Sequence, residues 1–270
     1  MHSDLFGPVK PESYNGNRYG LEFIDDFTHF SVVYALKSKT EVLKYFKMYE
    51  AMATAHFDKR ISRFQCDNGR EYLTNEIKDY FEKKEIQMEC TIRYTPQQNG
   101  LAKRMNRTII EKARWMLLEL KLEKDMWTEA VLAAVYLINR SPTRVLKGKT
   151  PTELWYEEKP NLKKLRVFGS LIYLHLPKEI NSGKLDSRTL KCIFVGYCPN
   201  GYRLWNPKEN KILYGSDVVF DELKNIQNFV EYGYQEEIIG KKAEEDTINK
   251  KIKTQKKIKK IVKMKKQKKK

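Results

Sequence analysis

A mixed α/β core followed by a small all-β module is the fold class that this sequence predicts, and three observations predict it. Residues 1–120 alternate segments rich in aromatic and β-branched residues with segments whose apolar residues recur at helical spacing. From Arg166 onward the pattern changes to short strands separated by turn signals. The last thirty residues are Lys with scattered Ile and Gln and hold little that could form a core. The expected division is a core over 1–120, a helical extension or linker over 121–164, a β-meander or small barrel over 165–222, and a Lys-rich tail over 223–270 with no fold of its own.

Each element has its own signal. The first strand contains Asp4 and starts almost at the first residue. Gly20–Phe27 and Ser31–Leu36 read as two strands joined by the turn Asp25-Asp26-Phe27-Thr28-His29. Glu41–His56 places Val42, Phe46, Tyr49 and Ala53 at helical spacing. Ile61–Cys66 is a short strand that delivers Asp67 at its C-terminal end, where Asn68-Gly69 breaks it. Thr74–Lys84 is a helix with Thr74 or Asn75 as N-cap and Ile77, Tyr80 and Phe81 on one side. Ile86–Tyr94 reads as a strand and Pro96–Gly100 as a loop.

Leu101–Leu120 is the clearest helix. Leu101, Met105, Ile109, Ala113, Met116, Leu117 and Leu120 form its apolar stripe, with Lys103, Arg104, Arg107, Glu111 and Arg114 on the other side. Asp125–Asn139 is a second helix that ends before Ser141-Pro142, and Pro151 opens a short third. Strands are expected at Arg166–Leu176, Lys191–Tyr197, Tyr202–Trp205, Lys211–Tyr214 and Asp217–Phe220. The four Trp, at 115, 127, 155 and 205, are read as core.

Composition narrows the function classes. With 41% hydrophobic residues the chain can bury a core, and no apolar run is long enough to span a membrane. The start carries no signal-peptide pattern. The four Cys and four His show no zinc spacing, so the thiols are read as free, in a reducing intracellular setting, nuclear or cytoplasmic. The net charge of +17 is uneven: residues 241–270 hold fifteen Lys against Glu244, Glu245 and Asp246, leaving +12 there and +5 in the other 240 residues. A basic chain suits a polyanionic partner, because each neutralised phosphate releases counterions. The tail reads equally as a nuclear-import segment, a nonspecific DNA-binding segment, or translated A-rich sequence.

Three stretches carry chemistry: Asp4 in His2-Ser3-Asp4-Leu5-Phe6-Gly7-Pro8, Asp67 in Cys66-Asp67-Asn68-Gly69-Arg70-Glu71-Tyr72, and the run from Tyr94 to Thr108. Either Asp alone reads as a surface turn residue. Together they resemble the integrase core of Copia-type retrotransposons. The resemblance continues through Trp127-Thr128-Glu129-Ala130, Tyr136–Pro142, Thr150–Trp155, Arg166–Gly169, Cys192–Tyr197 and Asp217–Asp221, and so covers about residues 1–222. It implies an RNase H-like mixed five-stranded sheet with helices, then the small all-β barrel-like module. It also implies a zinc-binding His/Cys segment ahead of residue 1.

What the family resemblance implies for the site is specific. Two Asp and one Glu hold two Mg²⁺ (or Mn²⁺) ions for DNA strand transfer. Asp4 and Asp67 fit the two Asp. The Glu position, 35 intervening residues after Asp67, is Lys103. A unit charge about 4 Å from a divalent ion is worth roughly 8 kcal/mol at an effective dielectric near 20. Glu supplies that as attraction and Lys as repulsion, so the resemblance implies impaired catalysis here. Gln98, Asn99, Arg104 and Arg107 are candidate DNA contacts; for the arginines a solvated helix face, and for Gln98 and Asn99 an ordinary polar loop, are the alternatives. The implied partners are element-end and target DNA and further copies of the chain. Two other readings stay open: a non-catalytic DNA- or protein-binding remnant co-opted by its host, and a pseudogene product.

Overall fold

The computed structural model describes residues 1–91, 99–175 and 189–225. Gln98, the end of the strand expected through Tyr94, and residues 226–270 of the Lys-rich tail lie outside them, while residues 223–225, expected in the tail, belong to the last strand of the second sheet.

β1 (His2–Phe6), β2 (Tyr19–Ile24) and β3 (Ser31–Leu36) form an antiparallel meander in which Asp4 stands directly opposite Glu22. The β2–β3 turn is closed by Asp25, whose Oδ2 accepts hydrogen bonds from the amide and hydroxyl of Thr28 at 2.8 and 2.7 Å. α1 (Val42–Phe57) buries Val42, Phe46, Tyr49 and Ala53, the four positions that the spacing predicts, and ends at Asp58 in the left-handed region. β4 (Arg63–Cys66) returns parallel to β1, with His2 opposite Gln65. α2 (Asn75–Lys83) is capped by Thr74, which accepts from the Ile77 amide, and β5 (Gln87–Cys90) lies parallel to β4. The resulting order is β3-β2-β1-β4-β5, the mixed five-stranded RNase H-like sheet.

The two faces of this sheet are covered differently. One face packs Leu21, Phe23, Phe46, Tyr49, Phe64, Phe81 and Trp155 into an aromatic-rich cluster with α1 and α2. The other lies under α3 (Gly100–Glu119) and α4 (Trp127–Asn139), the latter entered through a 3-10 turn at Lys124–Met126. α3 departs from the expected stripe, because the residues it buries are Ala102, Asn106, Ile109 and Ala113, while Leu101 and Met105 are only half-buried. Trp115 is 71% exposed on the outer side of this helix, against the expectation of a core Trp; Trp127 and Trp155 are buried.

α5 (Pro151–Tyr156), capped by Thr150, leads to the second sheet. β6 (Ser170–His175), β7 (Thr189–Cys198), β8 (Gly201–Asn206), β9 (Lys211–Gly215) and β10 (Val218–Asn225) are all antiparallel, in the order β10-β6-β7-β8-β9. Two residues join β9 to β10, yet the two strands stand at opposite ends of that order. The sheet therefore curls until its edges nearly meet, a barrel-like shape. β6 starts four residues later than its sequence suggests. Gly169 takes a φ of +83°, and a Cβ there would run into the Leu120 side chain. Val195 and Ile193 of β7 share one apolar cluster with α3 and α4, so α4 packs between the two sheets.

Candidate functional site

Asp4 sits in the middle of β1, and two residues beyond the His2–Gln65 pair on these parallel strands stand Asp4 and Asp67. Asp67 is thereby delivered beside Asp4 by the end of β4, on the neighbouring strand about 4.8 Å away. Its Oδ1 accepts a hydrogen bond from the Gly69 amide at 2.9 Å. A Cβ on Gly69 would come within 2.9 Å of that oxygen and 2.7 Å of the Glu71 carboxyl carbon, so the turn needs a glycine to bring these groups together. Asn68 anchors the same turn by donating to the Thr91 carbonyl at 2.5 Å. Glu71, four residues after Asp67, is engaged with Lys39 at 3.1 Å.

β1 is held in place from beneath. Ser3 Oγ donates to the Glu22 carbonyl at 2.9 Å and accepts from the hydroxyl of the buried Tyr72 at 2.9 Å. Asn99 is fully buried and donates to the Ser3 carbonyl at 3.0 Å. Its side chain clamps the start of α3 to β1, and to touch DNA it would have to leave that position.

α3 brings two more residues to the carboxylates. Asn106, buried against the sheet, donates from Nδ2 to Asp4 Oδ2 at 2.7 Å. Lys103 stands exposed one turn earlier, on the first turn of the helix. Burial pushes the Asp4 carboxyl above its ordinary range; the Asn106 donor and the Lys103 charge pull it back, and Asp67 pushes it up. Arg104 is exposed, with its guanidinium laid over Gly100, and Arg107 is exposed and 4.0 Å from Glu111.

Two groups escaped the sequence reading. Asn106 belongs to a quoted motif, but its polarity placed it away from the buried stripe. Glu22 is fully buried in β2 beside Asp4, and its alternation with Leu21 and Phe23 reads as a residue facing water. The chemistry of the donors suits a hard divalent ion: Asp4 and Asp67 offer carboxylate oxygens from neighbouring strands. It does not suit a second ion held through position 103, where the side chain is an ammonium. Among the described residues no three acidic, His or Cys side chains converge as a ready-made site, and no helix is long and apolar enough to cross a membrane.

Two family models and several curated relatives match the chain. Residues 1–96 match the integrase core domain model and residues 170–231 match the retroviral polymerase SH3-like domain model. The chain is 42% identical over 224 residues to the retrovirus-related Pol polyprotein from transposon TNT 1-94 of Nicotiana tabacum, a match covering 82% of this chain and 17% of that polyprotein. It is 34% identical over 225 residues to the Pol polyprotein from transposon RE1 of Arabidopsis thaliana, covering 82% of this chain and 15% of the other. The chain thus spans about one-sixth of the length of these relatives. Among solved structures, a simian T-cell lymphotropic virus intasome in complex with a PP2A regulatory subunit aligns at 18% identity and TM-score 0.46, over 80% of this chain and 75% of that one. The HTLV-2 integrase catalytic core domain in complex with magnesium aligns at 18% identity and TM-score 0.42, over 57% and 93%.

Proposed function

This chain belongs to the integrase-core family of retrovirus-related Pol polyproteins, and we propose that it is a DNA strand-transfer core whose catalytic step is impaired at position 103. One observation carries the reading: Asp4 on β1 and Asp67 at the end of the adjacent parallel strand act on one another, and the first turn of α3 presents a cation to Asp4. In the ancestral reaction a DNA 3′-hydroxyl attacks a target phosphodiester. A bound Mg²⁺ or Mn²⁺ supplies charge neutralisation for that exchange, and Asp4 and Asp67 are the residues that would hold it.

The protein's own groups have definable parts. Asn106 orients the Asp4 carboxylate, and Gly69 orients that of Asp67. Arg104 and Arg107 project into solvent from the helix that carries Lys103, as phosphate-positioning contacts would. Asn99 serves the strand rather than the nucleic acid. Residues 1–120 form the proposed core, 121–164 the extension, 165–225 the β module and the remainder the tail, with DNA and further copies of the chain as partners.

The test is a strand-transfer assay with Mn²⁺ and a processed DNA end, comparing the chain with Lys103→Glu. Activity confined to the Glu variant supports a sound scaffold silenced at one position. Equal activity in both would sink the assignment of position 103. Silence in both, with salt-sensitive DNA binding retained, would favour the non-catalytic binding reading.

A further inference from the structure

Glu22 is the one residue near the site whose chemistry the strand-transfer reading leaves unused. It is fully buried, and neither carboxylate oxygen has a partner at hydrogen-bond distance, the Ser31 hydroxyl being a nearby donor just beyond it. Glu22 stands directly opposite Asp4 in the β1–β2 ladder, so the two side chains leave the same face of the sheet with Cβ atoms about 4.5–5.5 Å apart. Asp67 continues that row on the other side of Asp4. Three acids therefore cross three adjacent strands, β2, β1 and β4, beneath the first turns of α3.

A buried carboxylate without a partner is among the costliest arrangements a fold can hold. Glu22 faces the Asp4 carboxylate and the Ser31 hydroxyl, and neither is cationic. A proton on Glu22 would relieve that residue alone. A cation between the two side chains relieves both.

We propose that Glu22 is a cation ligand, holding one divalent metal ion together with Asp4 from the β2 side of the row. Two carboxylates suffice, because Mg²⁺ keeps several waters and takes one or two acids, the remaining positions going to substrate phosphates. Asn106 and the Leu5 amide donate to the Asp4 carboxylate, whose two oxygens together keep lone pairs for an ion. The inference rests on the strand-transfer reading only for the kind of cation; the ligand pair comes from the β1–β2 register and the two unpartnered oxygens.

The test is Mn²⁺ binding by the full chain, stripped with chelator and read by electron paramagnetic resonance, with Mg²⁺ as competitor. The expected result is one bound Mn²⁺ in the wild type and a loss of at least about tenfold in affinity for Glu22→Gln. Melting curves in chelator give the second readout. Glu22→Gln replaces the buried carboxyl by an isosteric neutral amide, so it melts no lower than the wild type, and added Mn²⁺ raises the melting temperature of the wild type more than that of the variant. Equal Mn²⁺ affinity in the two proteins overturns the inference, as does a wild type without stoichiometric Mn²⁺ or a Glu22→Gln that melts well below it. Binding that depends on Glu22 together with no strand transfer by Lys103→Glu keeps this inference and sinks the functional one. The reverse pattern does the opposite.

Discussion

At the scale of single residues, the site depends on side chains that sequence patterning assigns to water. Asn106 faces the sheet and gives Asp4 a charge-assisted hydrogen bond, while its own Oδ1 has no partner. Asn106→Leu keeps a similar volume, removes the donor, and also removes the unpaired oxygen. A hydrogen bond to a charged group is worth about 1.5–3 kcal/mol, and relief of the orphaned oxygen offsets part of it. The expected outcome is a loss of about 1–2 kcal/mol in urea unfolding, with the midpoint lowered and the slope unchanged. A variant as stable as the wild type would show that Asp4 does not need this donor. Asp4 and Asp67 were legible only through the family resemblance, since either alone reads as a surface turn residue. Glu22 and Asn106 were not, since pattern reading sends polar residues outward. Only the packing of α3 and α4 over the sheet turns those positions inward.

At the scale of elements, α4 was legible as a helix but not as the piece that joins the two sheets. Its buried residues run almost all the way round it, among them Glu129, 1% exposed. Arg203 of β8 grips Glu129 with Nε and Nη2, both at 2.6 Å, and the Tyr14 hydroxyl donates to the same carboxylate at 3.1 Å. No sequence pattern links positions 14, 129 and 203, because their pairing exists only once both sheets have formed. Breaking a buried pair from one side strands the other charge, so Glu129→Ala is expected to cost about 3–5 kcal/mol. Glu129→Leu combined with Arg203→Met is expected to lie near the wild type, and a double-mutant cycle in urea measures the difference. A small loss in the single variant would mean that water reaches the pair. Burial, then the Glu129 charge, push Tyr14 up to about 12. A folded value above the unfolded one near 10 means that the Tyr14 contribution is complete below pH 10 and is lost as pH rises through about 12. Tyr14→Phe should therefore flatten the alkaline limb of the melting profile between those values. An unaltered limb would remove Tyr14 from this cluster.

At the scale of the whole molecule, the distribution of charge predicts how the chain would hold DNA. Residues 241–270 carry +12 of the net +17, and the other 240 residues, which hold both sheets, carry +5. Lys103, Arg104 and Arg107 put part of that smaller charge next to the carboxylate row, where it would act on whichever phosphate lies over Asp4. The tail charge has no such focus in the sequence, since its lysines follow no pattern that a base edge could read. Each lysine seated on a duplex phosphate adds about 0.9 to the slope of log affinity against log salt. Truncation after residue 240 should therefore flatten that slope by several, measured by fluorescence anisotropy on a labelled duplex across a potassium chloride series. The truncated chain should keep the shallow dependence of a body carrying +5, and Arg107→Ala in it should lower the slope by about one more. A slope unchanged by truncation would place the DNA contacts entirely on the folded body and leave the lysine run without a part in them.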